Sequence, residues 1–190
     1  MFAMRVFRSI LILLMLGWMC AAAAAEGARQ LPVALEDAAG KRLTIAILTL
    51  SPLADRAGWN YRLSLDKKRF EDRFLNMRPF VCMENGDYTL CYLGYPYALE
   101  RKITTGDLAD LEYDLLFIRK RTTDYGIDAH KGIYYRLRWQ GDHIEGRLYE
   151  TDLDRLAVPP EPGVKRPITE SDLYEVDAAR HAWPRIIIGE

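Results

Sequence analysis

The sequence predicts an α+β domain rich in β structure: mainly antiparallel sheet, or a partly closed barrel, of about eight or nine strands. One amphipathic helix is predicted over about 66–77 and a short second helix over about 105–111. Three observations support this fold class. Short apolar–polar alternations recur along the chain, turn residues separate them, and two cysteines flank a Gly-Asp turn at Gly86-Asp87.

Residues 1–25 have the layout of a cleaved secretory signal peptide. Two arginines precede an apolar run, and an Ala-x-Ala motif ends at Ala25. The run from 10 to 25 holds 16 residues, fewer than the ~20 that span a bilayer. An uncleaved membrane anchor and a lipid anchor on Cys20 are the alternatives. We therefore predict export to the periplasm of a Gram-negative bacterium, with no transmembrane segment after cleavage.

Residues 26–190 are predicted to form one exported domain. Without the two arginines of the leader, 24 of the 26 basic residues remain against 27 acidic ones, a net charge near −3. This balance argues against nucleic acid and against an acidic membrane surface as partners. The 49% apolar composition is typical of a folded domain. A Pro-rich crossing over 158–167 precedes the last segment.

Cys82 and Cys91 are the cysteines left after loss of the leader, and we predict a structural disulfide between them. A type II′ turn that begins with Gly86 places them opposite each other at a non-hydrogen-bonded pair, with Cα atoms about 4.5 Å apart. A turn at Asn85-Gly86 leaves them diagonal. Redox-active thiols and a metal site are the alternatives, but eight residues separate the cysteines and no histidine has ligand spacing.

The predicted register also assigns the two faces of this hairpin. The core face carries four apolar side chains: Val81, Met83, Leu90 and Tyr92. The bridge is predicted on the opposite, more accessible side. A closed loop of about ten residues stabilises the fold by roughly 2.5–3 kcal/mol in the chain-entropy description.

Periodicity predicts the other elements. The first helix is predicted because Phe70, Phe74 and Met77 recur at helical spacing, with Asp66 as the cap. Alternating or continuous apolar runs predict further strands on both sides of the turn at 36–40 and in the segments 59–65, 113–120, 132–139, 143–151 and 185–189.

No catalytic motif or cofactor fingerprint is present, so an enzyme is the less favoured class. Thr104 or Thr105 is the predicted cap of the short helix. Asp152 and Asp154 lack the glycine and distal glutamate of a calcium loop. Four acids lie within eight positions: Asp107, Asp110, Glu112 and Asp114. We place Asp107 in the first turn of the short helix and the other three in a polar connection. We predict no catalytic residue, no cofactor and no metal site.

Two segments are candidate recognition elements. Tyr95 and Tyr97 follow the second cysteine strand and are the predicted binding residues, with simple packing or edge cover as the alternative. The loop of about 12 residues that ends before Gly132 contains His130 and is long enough to be functional, with a solvated loop as the alternative.

The favoured function is a non-catalytic exported domain that binds an envelope protein or a cell-wall component. The first alternative is a carrier of small apolar ligands, with a barrel lumen lined by residues that include Ile45, Ile47, Leu63, Leu90 and Trp139. The second alternative is a hydrolase-like enzyme whose site is assembled from distant segments.

Overall fold

The computed structural model describes residues 27–55 and 57–189. The predicted signal peptide, residues 1–25, lies outside the described residues and stays a prediction. In the described ranges, no helix is long and apolar enough to cross a bilayer.

Twelve strands form a single antiparallel sheet. They are β1 Arg29–Glu36, β2 Arg42–Pro52, β3 Trp59–Leu65, β4 Glu71–Leu75, β5 Arg78–Asn85, β6 Tyr88–Tyr92, β7 Lys102–Ile103, β8 Phe117–Arg121, β9 Gly132–Gln140, β10 His143–Thr151, β11 Tyr174–Glu175 and β12 Arg185–Ile188. Their order is β4-β5-β6-β8-β9-β10-β12-β1-β2-β3-β7, and β11 pairs with β10. The part of the chain that the structure describes has one short α-helix, α1, Ala109–Asp114. The predicted antiparallel, β-rich class is therefore confirmed, whereas the predicted strand count was too low.

The sheet is open, because β4 and β7 lie at the two ends of the strand order. It nevertheless curls. Trp59 on β3 and Trp139 on β9 have ring centroids 5.5 Å apart, although four strands lie between them in the sheet. Trp139 also donates from Nε1 to the carbonyl oxygen of Thr104 at 3.0 Å, which holds the segment before α1 against this contact.

Apolar side chains pack on both faces of the curled sheet. The inner core includes Leu31, Val33, Leu48, Leu90, Phe117, Tyr135 and Ile186. A second cluster packs on the outer face of β8 and β9 and consists of Tyr113, Leu116, Ile118, Tyr134, Leu153, Leu156 and Ile168. Helix α1 contributes to both, because Leu111 belongs to the inner core and Tyr113 to the second cluster.

The helix predicted over 66–77 is wrong: this segment forms one turn and then strand β4. Asp66 caps the turn, since its carboxylate accepts the backbone N–H two residues further on. The helical spacing of the three apolar residues does not produce one buried stripe. Phe70 is buried, whereas Phe74 and Met77 are 70% and 84% exposed.

The β4–β5 hairpin turns at Asn76 and Met77, whose φ angles are 47° and 63°. Two consecutive positive φ angles match the type I′ turn, for which Asn-Gly is the preferred sequence. Asparagine tolerates this conformation, but a left-handed methionine costs roughly 1–2 kcal/mol. Because the usual glycine is missing, the hairpin has no clear signal in the sequence.

We expect Met77→Gly to raise the free energy of unfolding by about 1 kcal/mol, because glycine adopts positive φ without a steric penalty. Met77→Ala is the matched control, since it removes the same exposed side chain and keeps the backbone strain. Urea unfolding followed by circular dichroism measures both variants. Equal stabilities of the two variants would contradict strain at position 77.

The second predicted helix is displaced, since α1 covers Ala109–Asp114 rather than 105–111. The side-chain hydroxyl of Thr104 accepts the backbone N–H of Asp107 at 3.0 Å and closes a separate turn. Asp107 then accepts the N–H of Ala109 at 3.0 Å. Asp107 therefore lies before the helix and not in its first turn.

The Cys82–Cys91 disulfide is present, with Cα atoms 4.0 Å apart. Cys82 pairs with Cys91 and Asn85 with Tyr88 across β5 and β6, as the predicted register requires. The other face packs in or against the inner core, as predicted, through Val81, Met83, Leu90 and Tyr92. The prediction that the bridge lies on a more accessible side is wrong, because both cysteines are buried. Ile118, which pairs with Cys91, belongs to the second cluster that covers this face.

Candidate functional site

A groove of about 770 Å³, here called the outer groove, lies on the outer face of β5 and β8. Phe80 and Leu93 line it, each two residues from a cysteine and on the cysteine's side of the strand, so the disulfide lies beneath. The rest of the floor is also apolar and includes Tyr97, Ile118, Ile127 and Leu156. The rim is polar and carries Asn76, Arg78, Asp128, His130 and Asp154.

Tyr97 lines the outer groove and Tyr95 packs behind it. The hydroxyl of Tyr97 donates to the carbonyl oxygen of Leu156 at 2.7 Å. The ring of Tyr95 packs edge-on between Tyr97 and Tyr113, with centroid distances of 5.4 and 4.9 Å. Burial, with smaller effects from Tyr97 and Asp110, raises the pKa of Tyr95. The binding role of both tyrosines stays a prediction, with Tyr97 as the residue in reach of a ligand.

The predicted recognition loop is joined to the β4–β5 turn by one asparagine. The side-chain amide of Asn76 donates to the carbonyl oxygen of Ile127 at 2.8 Å and accepts the N–H of Ile127 at 3.1 Å. Gly126, with φ 82°, packs against this amide so closely that a Cβ atom would clash with its oxygen. Turn and loop together form one wall of the groove, beside which Met77 and Tyr125 are exposed.

His130 lies at the groove rim between two aspartates. Its Nδ1 is 2.9 Å from the carboxylate of Asp152, and its Nε2 is 3.7 Å from that of Asp154. The hydrogen bond and the charge of Asp152 raise the pKa of His130. These three residues are potential metal ligands whose atoms lie within 4.8 Å of one another.

The two aspartates face different ring nitrogens of His130. A metal ion takes one ring nitrogen, whereas a protonated imidazole donates from both. The arrangement therefore fits an ion-paired imidazolium better than a metal centre. Sequence reasoning treated His130 and the Asp152–Asp154 pair separately, because no local spacing connects them.

The acidic cluster of α1 is buried, so its assignment to a polar connection is wrong. Glu112 is fully buried and accepts the hydroxyl of Tyr134 at 2.6 Å and the N–H of Leu137 at 2.8 Å. Arg136 and Arg166 donate to the same carboxylate. Arg166 comes from the predicted Pro-rich crossing over 158–167, which contains no helix or strand.

The other two acids of α1 also have partners. Asp114 accepts the hydroxyl of Tyr92 at 3.3 Å and pairs with Arg101 at 3.5 Å. Asp110 accepts the N–H of Lys102 at 3.4 Å. These bonds explain why the sequence places acids on a buried helix: they fasten α1 to its neighbours.

The residues predicted to line a lumen are divided between the two faces of the sheet. Ile45 is buried in the inner core, whereas Ile47 is 37% exposed. Leu90 lines a smaller cavity of about 240 Å³, together with Arg119 and His181. Burial lowers the pKa of His181, and the charge of Arg119 lowers it further.

Comparison of the chain with protein-family models, with curated proteins and with solved structures found no match. We therefore infer function from the geometry of the outer groove.

Proposed function

We propose that this protein is a non-catalytic binding domain, exported to the periplasm, that holds an extended segment of a partner envelope protein in the outer groove. One observation carries the proposal. The tyrosine turn and the long loop, which are far apart in the sequence, line the same groove through Tyr97 and Ile127.

The chemistry of the groove favours a protein segment over a glycan of the cell wall. Its floor is formed by Phe80, Leu93, Ile118 and Leu156, which offer no partners to sugar hydroxyls. Apolar floors with polar rims are typical of protein interfaces, where one or two large apolar side chains supply most of the affinity. The occupant is therefore a segment that inserts an aliphatic or aromatic side chain.

The groove is preorganised for such a partner. The buried bridge fixes the strands beneath the floor, and the two Asn76–Ile127 hydrogen bonds fix one wall. A preformed site loses less conformational entropy on binding. Beside this wall, Met77 is 84% exposed and Tyr125 is fully exposed, which extends the apolar surface beyond the groove.

Site-specific photocrosslinking in the periplasm tests this proposal. We expect benzoylphenylalanine in place of Tyr125, an exposed aromatic position, to form an adduct that contains a peptide of an envelope protein. Ala157 is exposed and lines the groove, so Ala157→Trp obstructs part of it from an exposed position. We expect Ala157→Trp to reduce the adduct by about tenfold, since loss of one anchoring contact is worth ~1.4 kcal/mol or more.

Ala54→Trp is the matched control, because Ala54 is also exposed and lies outside the groove. The adduct is expected to persist in that variant. An adduct that Ala157→Trp leaves unchanged would rule out the groove as its site. An adduct that carries cell-wall glycan and no peptide would contradict the protein partner and identify a cell-wall component as the ligand.

A further inference from the structure

A row of like charges crosses the outer face of the sheet, and none of its residues lines the outer groove. Arg136 on β9 lies directly opposite Arg147 on β10, and Arg147 lies directly opposite Arg185 on β12. Like charges at directly opposed positions repel and destabilise a sheet. Three arginines that are neighbours across three strands therefore oppose sheet stability, and such local conflicts are typical of functional surfaces.

These arginines line a groove of about 500 Å³, here called the arginine groove. Arg138, two positions along β9 on the same face, also lines it. Glu145 is the one acid among its described lining residues. The carboxylates that pair with three of the arginines lie outside this lining: Glu36, Glu112, Glu170 and Glu175. The chain as a whole has a formal net charge of −1, and the groove is a local concentration of guanidinium groups.

The existing ion pairs leave part of this charge available. Arg138 has no ion-pair partner among the described residues, and the Glu145 opposite it lies 3.2 Å from His143. Arg147 is 60% exposed and reaches Glu175 only at 3.6 Å. An exposed pair of this kind is worth about 0–1 kcal/mol and yields easily to a ligand.

The other two arginines are held in place from below. Arg136 donates to the buried Glu112 and pairs with the exposed Glu170 at 2.6 Å, and Arg185 pairs with Glu36, which is buried. Such partners fix the direction of the planar guanidinium groups before a ligand arrives. The small residues Ala38, Ala178 and Pro184 leave the groove open above the strands.

We infer that the arginine groove binds an anion that carries phosphate groups. Guanidinium groups donate two parallel hydrogen bonds to phosphate, and several of them around one centre suit a tetrahedral group with oxygens in all directions. Four guanidinium groups around one groove offer more donors than a single carboxylate can accept, which favours a multiply charged anion. Phosphate of this kind is available in soluble phosphorylated compounds and in lipid headgroups.

Isothermal titration of the mature protein with pyrophosphate at low ionic strength tests the inference. We expect Arg138→Gln and Arg147→Gln each to weaken binding by about tenfold, since a charged hydrogen bond is worth roughly 1.5–3 kcal/mol. Both arginines are exposed, so neither substitution removes a core contact. Arg62→Gln is the matched control: Arg62 is an exposed strand arginine outside the groove, and its removal is expected to leave binding unchanged.

Two further arms identify the source of the phosphate. Flotation with phosphatidylcholine vesicles, with and without phosphatidate, tests a lipid headgroup, and binding to pyrophosphate without phosphatidate-dependent flotation assigns a soluble ligand. Absence of binding to both probes would overturn the inference. Equal losses in Arg62→Gln and Arg138→Gln would do the same, because they indicate unspecific charge attraction. Tighter binding of citrate than of pyrophosphate would overturn the assignment to phosphate.

Discussion

Glu112→Ala is expected to lower the free energy of unfolding by about 3 kcal/mol, at the lower end of the range for a broken buried ion pair. The carboxylate is fully buried and accepts from two arginines, one tyrosine hydroxyl and one backbone N–H. Its removal leaves the guanidinium groups of Arg136 and Arg166 without their shared anion. Because these side chains are 28% and 32% exposed, water compensates part of the loss.

Urea unfolding of three variants separates the parts of this effect. Glu112→Gln keeps an acceptor for the N–H of Leu137 and loses the charge, so we expect an intermediate loss of stability. Glu170→Ala is the exposed control, because Glu170 also pairs with Arg136 but is 74% exposed. We expect a change of less than about 1 kcal/mol for it. Equal losses for Glu112→Ala and Glu170→Ala would show that burial of the carboxylate does not matter.

The same network explains why one prediction from the sequence failed. The sequence predicted a polar connection around Asp110, Glu112 and Asp114, since acids are rarely buried without partners. Their partners come from distant segments, and Arg166 follows Glu112 by 54 positions. No local pattern in the sequence connects these residues, so their burial was not predictable from spacing alone.

Local turn chemistry predicted the register of one hairpin correctly. The hairpin of β5 and β6 has the predicted register because Gly86 supplies a positive φ of 60° and the cysteines require opposed positions. The hairpin of β9 and β10 also turns at a Gly-Asp pair, Gly141-Asp142, between the segments predicted as strands at 132–139 and 143–151. The β4–β5 hairpin was missed because Met77 stands where glycine is usual, and the spacing of Phe70, Phe74 and Met77 imitates a helix.

The candidate site was predictable only in pieces. Tyr97 and the loop around His130 were recognised separately as surface features, but their meeting in one groove depends on tertiary contacts. The link between Asn76 and Ile127 spans 51 positions. Strand order also depends on tertiary contacts, since β12 lies between β10 and β1 in the sheet although it is the last strand in the sequence.

The double substitution Cys82→Ala and Cys91→Ala is expected to lower the free energy of unfolding by about 3 kcal/mol. The bridge closes a loop between positions 82 and 91, and release of this constraint from the unfolded chain accounts for roughly 2.5–3 kcal/mol. Loss of two buried sulfur atoms beside Ile118 adds a small packing term. Guanidinium unfolding of the oxidised protein and of the double variant measures the sum.

A comparison under reducing conditions separates the cross-link from the packing. With reductant present throughout, the unfolded chain of the native protein has no bridge, so its stability is expected to approach that of the double variant. The difference that remains measures the packing of the buried sulfur atoms. If oxidised and reduced protein unfold at the same denaturant concentration, the bridge does not constrain the unfolded state. Strand pairing and the second cluster alone would then hold the floor of the outer groove rigid. Of the two features that preorganise the groove for a partner, only the Asn76–Ile127 hydrogen bonds would remain.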